Sequence, residues 1–198
     1  MDFLRESQRK ESRATKWASM FRKKQTAILL RPHPRPLGSK IFISYRRADT
    51  KHVAGRIFDH LKARFGENDI FFDVDAIPIG VNFENYIREA IGSSAAVLAL
   101  IGRQWVNRSW SRENHWFGGR SAEDHVRAEI ELALDYGVPV IPILVDDTQM
   151  PDRSELPMSM QEFVKLNAAP MRSGRDFDSD MSVLLIRIEP LRQEASGE

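Results

Sequence analysis

The pattern of hydrophobic and polar positions changes from a helical to a strand-like period within residues 121–145. Ser121 and Asp124 have the spacing of a capping box, which favours the start of a helix. Gly137 favours the left-handed conformation that ends a helix, and the apolar run Val140–Val145 is typical of a buried strand. The pattern therefore predicts one helix, a tight stop and one strand.

One charged residue of this helix, Glu129, lies where the pattern is hydrophobic. At about 100° per residue, Val126, Ile130 and Ala133 share a stripe, and Glu129 falls inside the same apolar arc. The other acids of the segment cluster on the opposite, solvent-facing side: Asp124, Glu131 and Asp135. An unpaired buried charge is costly, so Glu129 must be paired, neutralised or functional. The pattern leaves open a half-buried side chain bonded to a backbone amide or to Arg127.

Short apolar strands alternate with amphipathic helices along most of the chain. The predicted strands are Lys40–Tyr45, Ile70–Phe72, Ala95–Ile101, Val140–Val145 and Leu166–Met171. The predicted helices are Thr50–Phe65 with Asp49 as its cap, Phe83–Gly92, the helix from Ser121, and Asp178–Arg192. Strands joined by helical crossovers form a parallel sheet that is covered on both faces. We therefore predict an α/β, flavodoxin-like fold: a five-stranded parallel sheet of order 2-1-3-4-5 with helices on both faces.

The carboxyl ends of these strands bring polar residues to one rim, where such sheets bind ligands. Tyr45, Arg46 and Arg47 follow the first strand, Asp73 follows the second, and the third strand leads toward the helix of Glu129. Arginine suits phosphate, an aromatic side chain suits a ring, and carboxylates suit sugar hydroxyls. The set predicts a phosphate- and sugar-bearing ligand, although each residue taken alone is also compatible with an ordinary solvated loop.

The net charge of +1 conceals an asymmetry between the two parts of the 198-residue chain. Residues 1–37 carry ten Lys and Arg against three Asp and Glu, and the remainder carries 19 basic and 25 acidic residues. We predict a basic N-terminal arm with a Pro-rich linker over residues 1–37 and a globular domain over residues 38–198. For the arm we favour a protein partner over specific nucleic-acid binding.

The absence of several residue types and motifs narrows the function further. The chain has no cysteine, which excludes disulfides and thiol chemistry and fits a reducing compartment. It has no hydrophobic run of about 20 residues, so we expect no transmembrane segment and a cytoplasmic location. Phosphate-binding glycine motifs, a G-x-S-x-G elbow and zinc-ligand spacing are missing, so we expect neither a bound cofactor nor a metal site.

Four segments, taken together and in order, resemble the Toll/interleukin-1 receptor (TIR) domain family. They are FISYRR (Phe42–Arg47), FFDVDAIPIG (Phe71–Gly80), AAVLALIGRQW (Ala95–Trp105) and DHVRAEIELAL (Asp124–Leu134). The resemblance covers about residues 40–190. Within the family, the four segments are similar to those of bacterial stand-alone TIR proteins and of the animal TIR NAD hydrolase of axon degeneration. It implies the flavodoxin-like fold and a role in signalling, anti-phage defence or cell suicide.

The resemblance also implies an activity, cleavage of NAD⁺ at the nicotinamide–ribose bond to give ADP-ribose or a cyclised isomer. NAD⁺ is then a substrate rather than a cofactor. Glu129 occupies the position of the family's catalytic glutamate, in a Trp-x-x-x-Glu arrangement on the third helix. The substrate-binding positions implied by the family are Tyr45, Arg46, Arg47, Asp73 and Phe83. The family also has a mobile loop, the BB loop, through which TIR domains associate with one another. The residues at its positions here are Asp75, Ile77, Pro78 and Gly80.

One position departs from the family pattern. His125 stands where the family has the Trp whose ring stacks on nicotinamide, and a smaller, titratable ring replaces it. We expect His125 to remain next to the substrate, with Trp105 or Trp116 as the alternative stacking platform. Two functions follow from the resemblance: an NAD⁺ glycohydrolase or cyclase, and a non-enzymatic TIR scaffold that assembles through the BB loop.

Overall fold

The computed structural model describes residues 38–72, 80–106 and 125–196, all within the compact unit Arg35–Glu198. Among the features predicted from the sequence, the basic arm, its boundary after residue 37, and the capping pair Ser121 and Asp124 lie outside these residues.

The described chain alternates strands and helices as the hydrophobic pattern predicts. The strands are β1 (Lys40–Ser44), β2 (Ile70–Phe71), β3 (Ser94–Ile101), β4 (Val140–Val145) and β5 (Ala169–Met171). The α-helices are α1 (Arg47–Phe65), α2 (Phe83–Gly92), α3 (His125–Tyr136) and α4 (Phe177–Ser196). Short 3₁₀ helices lie at Glu67–Asp69, Arg153–Glu155, Met158–Met160 and Phe163–Lys165.

The five strands form one parallel sheet in the order β2-β1-β3-β4-β5, which confirms the predicted topology. β3 lies at its centre, and all eight of its residues are buried because helices cover both faces. Val97 of β3 belongs to the core under α2 and α3, together with Ile130. Its neighbour Leu98 belongs to the opposite core, with Ile57 of α1 and Leu184 of α4. The alternation of side chains along a strand thus produces two hydrophobic layers.

The stop after α3 has the predicted chemistry. Gly137 has a φ of 68°, in the left-handed region. Its N–H donates to the carbonyl of Leu134, and the N–H of Val138 donates to the carbonyl of Ala133. This pair of bonds is a Schellman motif, which satisfies carbonyls at the end of the helix and turns the chain toward β4.

The predicted start of the first helix is wrong. α1 begins at Arg47 rather than Thr50, and Arg46 is its N-cap residue, without a side-chain cap. The N–H groups of Asp49 and Thr50 both donate to the carbonyl of Arg46, so Asp49 already lies in the first turn. Its carboxylate therefore does not cap the helix.

Across the described residues, none of the helices combines the length and the hydrophobicity that crossing a membrane requires.

Candidate active site

The side chain of Glu129 is buried at the carboxyl end of β1. Ser44 is the last residue of β1, and its hydroxyl group donates a hydrogen bond to Glu129 Oε2 over 2.6 Å. Glu129 is only 2% exposed, and Ser44 is 1% exposed. The acid that the helical pattern places among hydrophobic residues is therefore inside the protein, at the edge where parallel α/β sheets bind ligands.

Burial changes the proton affinity of this carboxyl group. Removal from water raises the pKa of Glu129 from 4.5 to about 8, and the hydrogen bond from Ser44 opposes that rise. Loss of hydration disfavours the charged form, whereas a donor to the carboxylate favours it. At neutral pH the carboxyl group is therefore mainly protonated in the free protein. Groups with strongly shifted pKa values are concentrated at functional sites, although structural groups also show them.

Arg127 does not neutralise Glu129. Its Nε donates over 2.8 Å to Oε1 of Glu131, one turn further along α3. The hydroxyl of Ser159, in the connection from β4 to β5, donates to the same oxygen. Glu131 is consequently half-buried, and the prediction that it faces solvent is wrong, because the β4–β5 connection covers that side of the helix.

An aromatic stack begins immediately after Ser44. The ring of Tyr45 stacks on Phe72 with centroids 5.3 Å apart and planes 14° apart. Phe72 in turn stacks on Phe58 of α1, at 4.6 Å between centroids. Tyr45 follows β1 and Phe72 follows β2, so the stack fixes the two chain segments that leave these neighbouring strands.

The segment after β3 is tied to the start of α1 by polar contacts. Arg46 donates from Nε and Nη2 to the carbonyl oxygen of Trp105, over 3.3 and 3.1 Å. Asp49 Oδ2 accepts the N–H of Gln104 over 3.0 Å, and a Cβ at Gly102 would collide with the Asp49 carboxylate. Any larger residue at position 102 would therefore force the Asp49 carboxylate to move. The contacts position the two loops that follow the two central strands β1 and β3.

Trp105 lies in the hydrophobic core. It is fully buried, and its ring stacks on Phe163 with centroids 5.2 Å apart and planes 17° apart. This placement does not support the stacking platform predicted for Trp105, because no part of the ring reaches the surface. Trp116, the other predicted platform, lies outside the described residues.

A comparison with known protein families identifies the family to which this chain belongs. The model of the family described as TIR domain matches residues 41–185. The chain belongs to the TIR domain family. The match includes residues of all five strands of the sheet and both residues of the Ser44–Glu129 pair.

Two curated relatives carry a name that describes an activity. This TIR domain is 26% identical over 132 residues to NAD(+) hydrolase SARM1 of Danio rerio, covering 67% of this chain and 17% of the relative. It is 25% identical over 127 residues to NAD(+) hydrolase sarm1 of Drosophila melanogaster, covering 64% of this chain and 9% of the relative. The chain thus spans less than a fifth of the length of these relatives.

Among solved structures, the TIR domains of the activated Roq1 resistosome, which directly recognizes the pathogen effector XopQ, have a similar fold. The TM-score is 0.56 at 14% identity, over 75% of this chain and 98% of that chain. At this level of identity the similarity shows the fold alone, the flavodoxin-like TIR sheet.

The other residues predicted for the TIR site are only partly described. Arg47 is exposed at the first residue of α1, and His125 is half-buried at the first described residue of α3. Gly80 is exposed and has a φ of 89°, which favours glycine. The rest lie outside the described residues: Asp73, Asp75, Ile77, Pro78 and the side chain of Phe83.

The sequence reasoning missed Ser44 as a site residue. The signal was available, because Phe42 lies two residues earlier on β1, and alternating residues of a strand share a face. Phe42 packs in the core under α2 and α3. Ser44 must therefore point toward the helix that carries Glu129.

The described geometry provides a buried carboxyl group with a nearby hydroxyl donor, next to Tyr45 and Arg46, which follow β1, and Arg47, which begins α1. Such a carboxyl group can stabilise a developing positive charge, accept a proton from water, or bind a sugar hydroxyl. The raised pKa places its protonation change near physiological pH, where acid–base groups are most effective.

Proposed function

We propose that this TIR domain cleaves the nicotinamide–ribose bond of NAD⁺, as a glycohydrolase or a cyclase, with Glu129 as the catalytic residue. The observation that supports the proposal most directly is the burial of Glu129 at the carboxyl end of β1, where its only described hydrogen-bond partner is Ser44. Similarity to relatives named NAD(+) hydrolase supports the choice of substrate.

The chemistry requires a single carboxylate. In most glycoside hydrolases a second acid protonates the leaving oxygen. In NAD⁺ the bond between C1′ and the pyridinium nitrogen breaks with its electron pair going to nitrogen, so nicotinamide leaves as a neutral molecule without protonation. The protein must then stabilise an oxocarbenium-like ribose and orient its hydroxyl groups. An ionised Glu129 is suited to both tasks.

Glu129 is mainly protonated in the free protein, but the proposed cleavage needs its ionised form. The positive charge of the substrate can supply the change from one form to the other. Burial holds the pKa of Glu129 at about 8 in the free protein. A pyridinium ring placed near the carboxyl group favours the ionised form, as any nearby opposite charge does. Binding of NAD⁺ would therefore generate the carboxylate that the cleavage step uses.

The product depends on the acceptor of the ribosyl cation. When water attacks C1′, its proton passes to Glu129 or to solvent, and the products are ADP-ribose and nicotinamide. When a ring nitrogen of the adenine attacks C1′, a bond from that nitrogen to C1′ replaces the bond to nicotinamide, the adenine loses a proton to Glu129 or to solvent, and the product is a cyclic ADP-ribose. We assign phosphate binding to Arg47, which is exposed at the start of α1. We propose that the neighbouring Arg46 also contributes to substrate binding, while its guanidinium group holds the Trp105 segment.

Purified protein incubated with NAD⁺ and, separately, with NADH tests this function. Dihydronicotinamide would have to leave NADH as an anion, so only NAD⁺ should be consumed. Nicotinamide should accumulate together with ADP-ribose or a cyclic ADP-ribose. The reactions should be run with and without a crowding agent, because assembly can be required for activity. Equal survival of NAD⁺ and NADH under both conditions would remove the enzymatic proposal.

A second candidate is a signalling scaffold without enzymatic activity. Val81, at the end of the loop that follows β2, has 46% of its surface exposed, so a hydrophobic side chain is accessible to a partner there. We propose that this loop supports self-association, with Ile77 as a contact. Sedimentation of Ile77→Asp and Val81→Asp should show weaker association than wild type, while Met158→Asp, at a residue 79% exposed elsewhere, should not. Unchanged association in both loop variants would exclude this surface.

A further inference from the structure

Among the residues that the structure describes, the hydroxyl group of Ser44 forms its hydrogen bond with Glu129 alone. Ser44 ends β1, and its Oγ lies 2.6 Å from Glu129 Oε2, with 85 residues between the two positions. Both side chains are almost completely buried. Hydrophobic side chains occupy the three preceding positions of the strand, so a polar side chain here calls for an explanation.

A hydroxyl donor has two effects on a buried carboxyl group. It limits the side-chain conformations available to Glu129, which lowers the entropy lost when the carboxyl group must act in one place. It also forms a stronger hydrogen bond to the charged carboxylate than to the neutral acid, so it favours the charged form. The first effect concerns position and the second concerns charge.

We propose that Ser44 is a positioning residue for Glu129: its hydroxyl group holds the carboxyl group at the carboxyl end of β1 and stabilises its negative charge. This inference rests on the proposed function for its catalytic consequence, since position and charge matter there because Glu129 acts on NAD⁺. The pairing itself can be measured without any reaction.

Arg46 and Arg127, two of the charged groups near Glu129, form their hydrogen bonds with other partners. The titratable or charged residues on the segments around Glu129 are Tyr45 and Arg46 after β1, Arg103 after β3, and His125, Arg127 and Glu131 on α3. Arg46 donates to the Trp105 carbonyl, and Arg127 pairs with Glu131. Among the described residues, burial and the Ser44 hydrogen bond are the two causes that set the pKa of Glu129.

The test compares wild type with Ser44→Ala, Ser44→Thr and a matched control, Ser94→Ala. Ser94 is also a fully buried serine, at the start of the adjacent strand β3, but its hydroxyl donates to the carbonyl of Ala90 over 2.7 Å. The pKa of Glu129 is read by NMR on protein labelled with ¹³C at glutamate carboxyl carbons, with Glu129→Gln for assignment. The pH profile of kcat/KM for NAD⁺ is measured in parallel.

We expect Ser44→Ala to raise the pKa of Glu129 and to move the pH profile by the same amount in the alkaline direction. The rate at pH 7 should fall about tenfold or more, as expected for loss of a hydrogen bond to a charged group. Ser44→Thr keeps the hydroxyl donor and should retain the wild-type pKa and pH profile. Ser94→Ala should change neither of them. If the alanine variant does not fold, Ser44→Cys, which has a similar volume and a weaker donor, should give a smaller shift of the same sign.

An unchanged pKa of Glu129 in Ser44→Ala, or an equal change in Ser94→Ala, would overturn the inference. If wild type does not consume NAD⁺ but the NMR shift occurs, the pairing stands and the proposed function fails. If wild type is active and the shift is absent, the function stands and the role of Ser44 fails.

Discussion

The guanidinium group of Arg46 holds the backbone of Trp105, 59 residues further along the chain. Two of its nitrogens, Nε and Nη2, donate to the same carbonyl oxygen, at 3.3 and 3.1 Å. Arg46 precedes α1 and Trp105 follows β3, so this contact joins the loops that flank the Ser44–Glu129 pair. An arginine predicted from the sequence to bind substrate therefore also stabilises the fold of the candidate site.

Replacement of Arg46 should affect stability, and replacement of Arg187, an exposed arginine of α4, should affect it much less. Arg46→Ala removes a charged donor from a partly buried carbonyl, at a cost of about 1.5–3 kcal/mol. Arg187 is exposed, and substitutions at exposed positions usually change stability by less than about 0.5 kcal/mol. Thermal unfolding of both variants measures the difference. Equal melting temperatures would show that the contact with Trp105 contributes little.

Trp105 should contribute to stability through the packing of its ring. Trp105→Ala removes a fully buried side chain that stacks on Phe163, which should cost about 3–5 kcal/mol, and Trp105→Phe should cost less. Urea unfolding gives both values. A Trp105→Ala protein that keeps wild-type stability but loses affinity for NAD⁺ would instead favour the stacking platform predicted from the sequence.

Stability should fall with increasing pH because of Glu129. The pKa of Glu129 is raised by burial to about 8 in the folded protein, and an unfolded chain has the ordinary value of 4.5. Between these values the folded state keeps a proton that the unfolded state has lost, so stability decreases as pH rises and levels off above the folded pKa. Each unit of pKa difference corresponds to about 1.4 kcal/mol.

The isosteric variant Glu129→Gln should remove this dependence. Its stability above pH 8 should exceed that of wild type by an amount on the order of a few kcal/mol, since the uncharged amide pays no penalty for ionisation. Urea unfolding at several pH values from 5 to 9 provides the comparison. Parallel curves for the two proteins would mean that Glu129 ionises as easily in the folded state as in the unfolded state.

A second carboxylate, Asp180, should act in the opposite direction. It accepts hydrogen bonds from the N–H, Nε and Nη2 of Arg172, and these lower its pKa below the ordinary value. Its contribution to stability is complete above the unfolded pKa and is lost as the pH falls through the lowered folded value. The melting temperature of Asp180→Asn should therefore be several degrees lower than that of wild type at pH 7. The difference between the two melting temperatures should become smaller at acidic pH.

Asp176 offers a matched control for this prediction. It forms an ion pair with the same guanidinium over 3.1 Å, but its side chain is 58% exposed, against 6% for Asp180. Exposed ion pairs contribute little to stability. Asp176→Asn should thus leave the melting temperature nearly unchanged, and an effect as large as that of Asp180→Asn would contradict the assignment.

The sequence was sufficient for those features that depend on local periodicity. The buried position of Glu129 follows from the helical arrangement of its neighbours, and the stop at Gly137 follows from glycine's access to positive φ. The strand order follows from the resemblance and from the alternation of short apolar strands with helices.

The features that depend on contacts between distant residues were not predicted. Ser44 and Glu129 meet because two elements 85 residues apart pack together, and no local pattern reports that. Trp105 follows a strand in a polar segment, which suggests exposure, but the 3₁₀ helix Phe163–Lys165 supplies the side chain that covers its ring. Asp49 is a residue type that often caps helices, but its carboxylate accepts a hydrogen bond from the N–H of Gln104 instead.

The release of nicotinamide from NAD⁺ by wild type, Glu129→Gln and Glu131→Gln tests the central claim most directly. Glu131 lies on the same helix, and its carboxylate is bound by Arg127 and Ser159, away from Ser44. The account predicts that Glu129→Gln folds and loses at least about a hundredfold in rate, in the range reported for general acid–base groups, while Glu131→Gln keeps its activity. Wild-type release of nicotinamide by Glu129→Gln, or none by any of the three proteins, would contradict it.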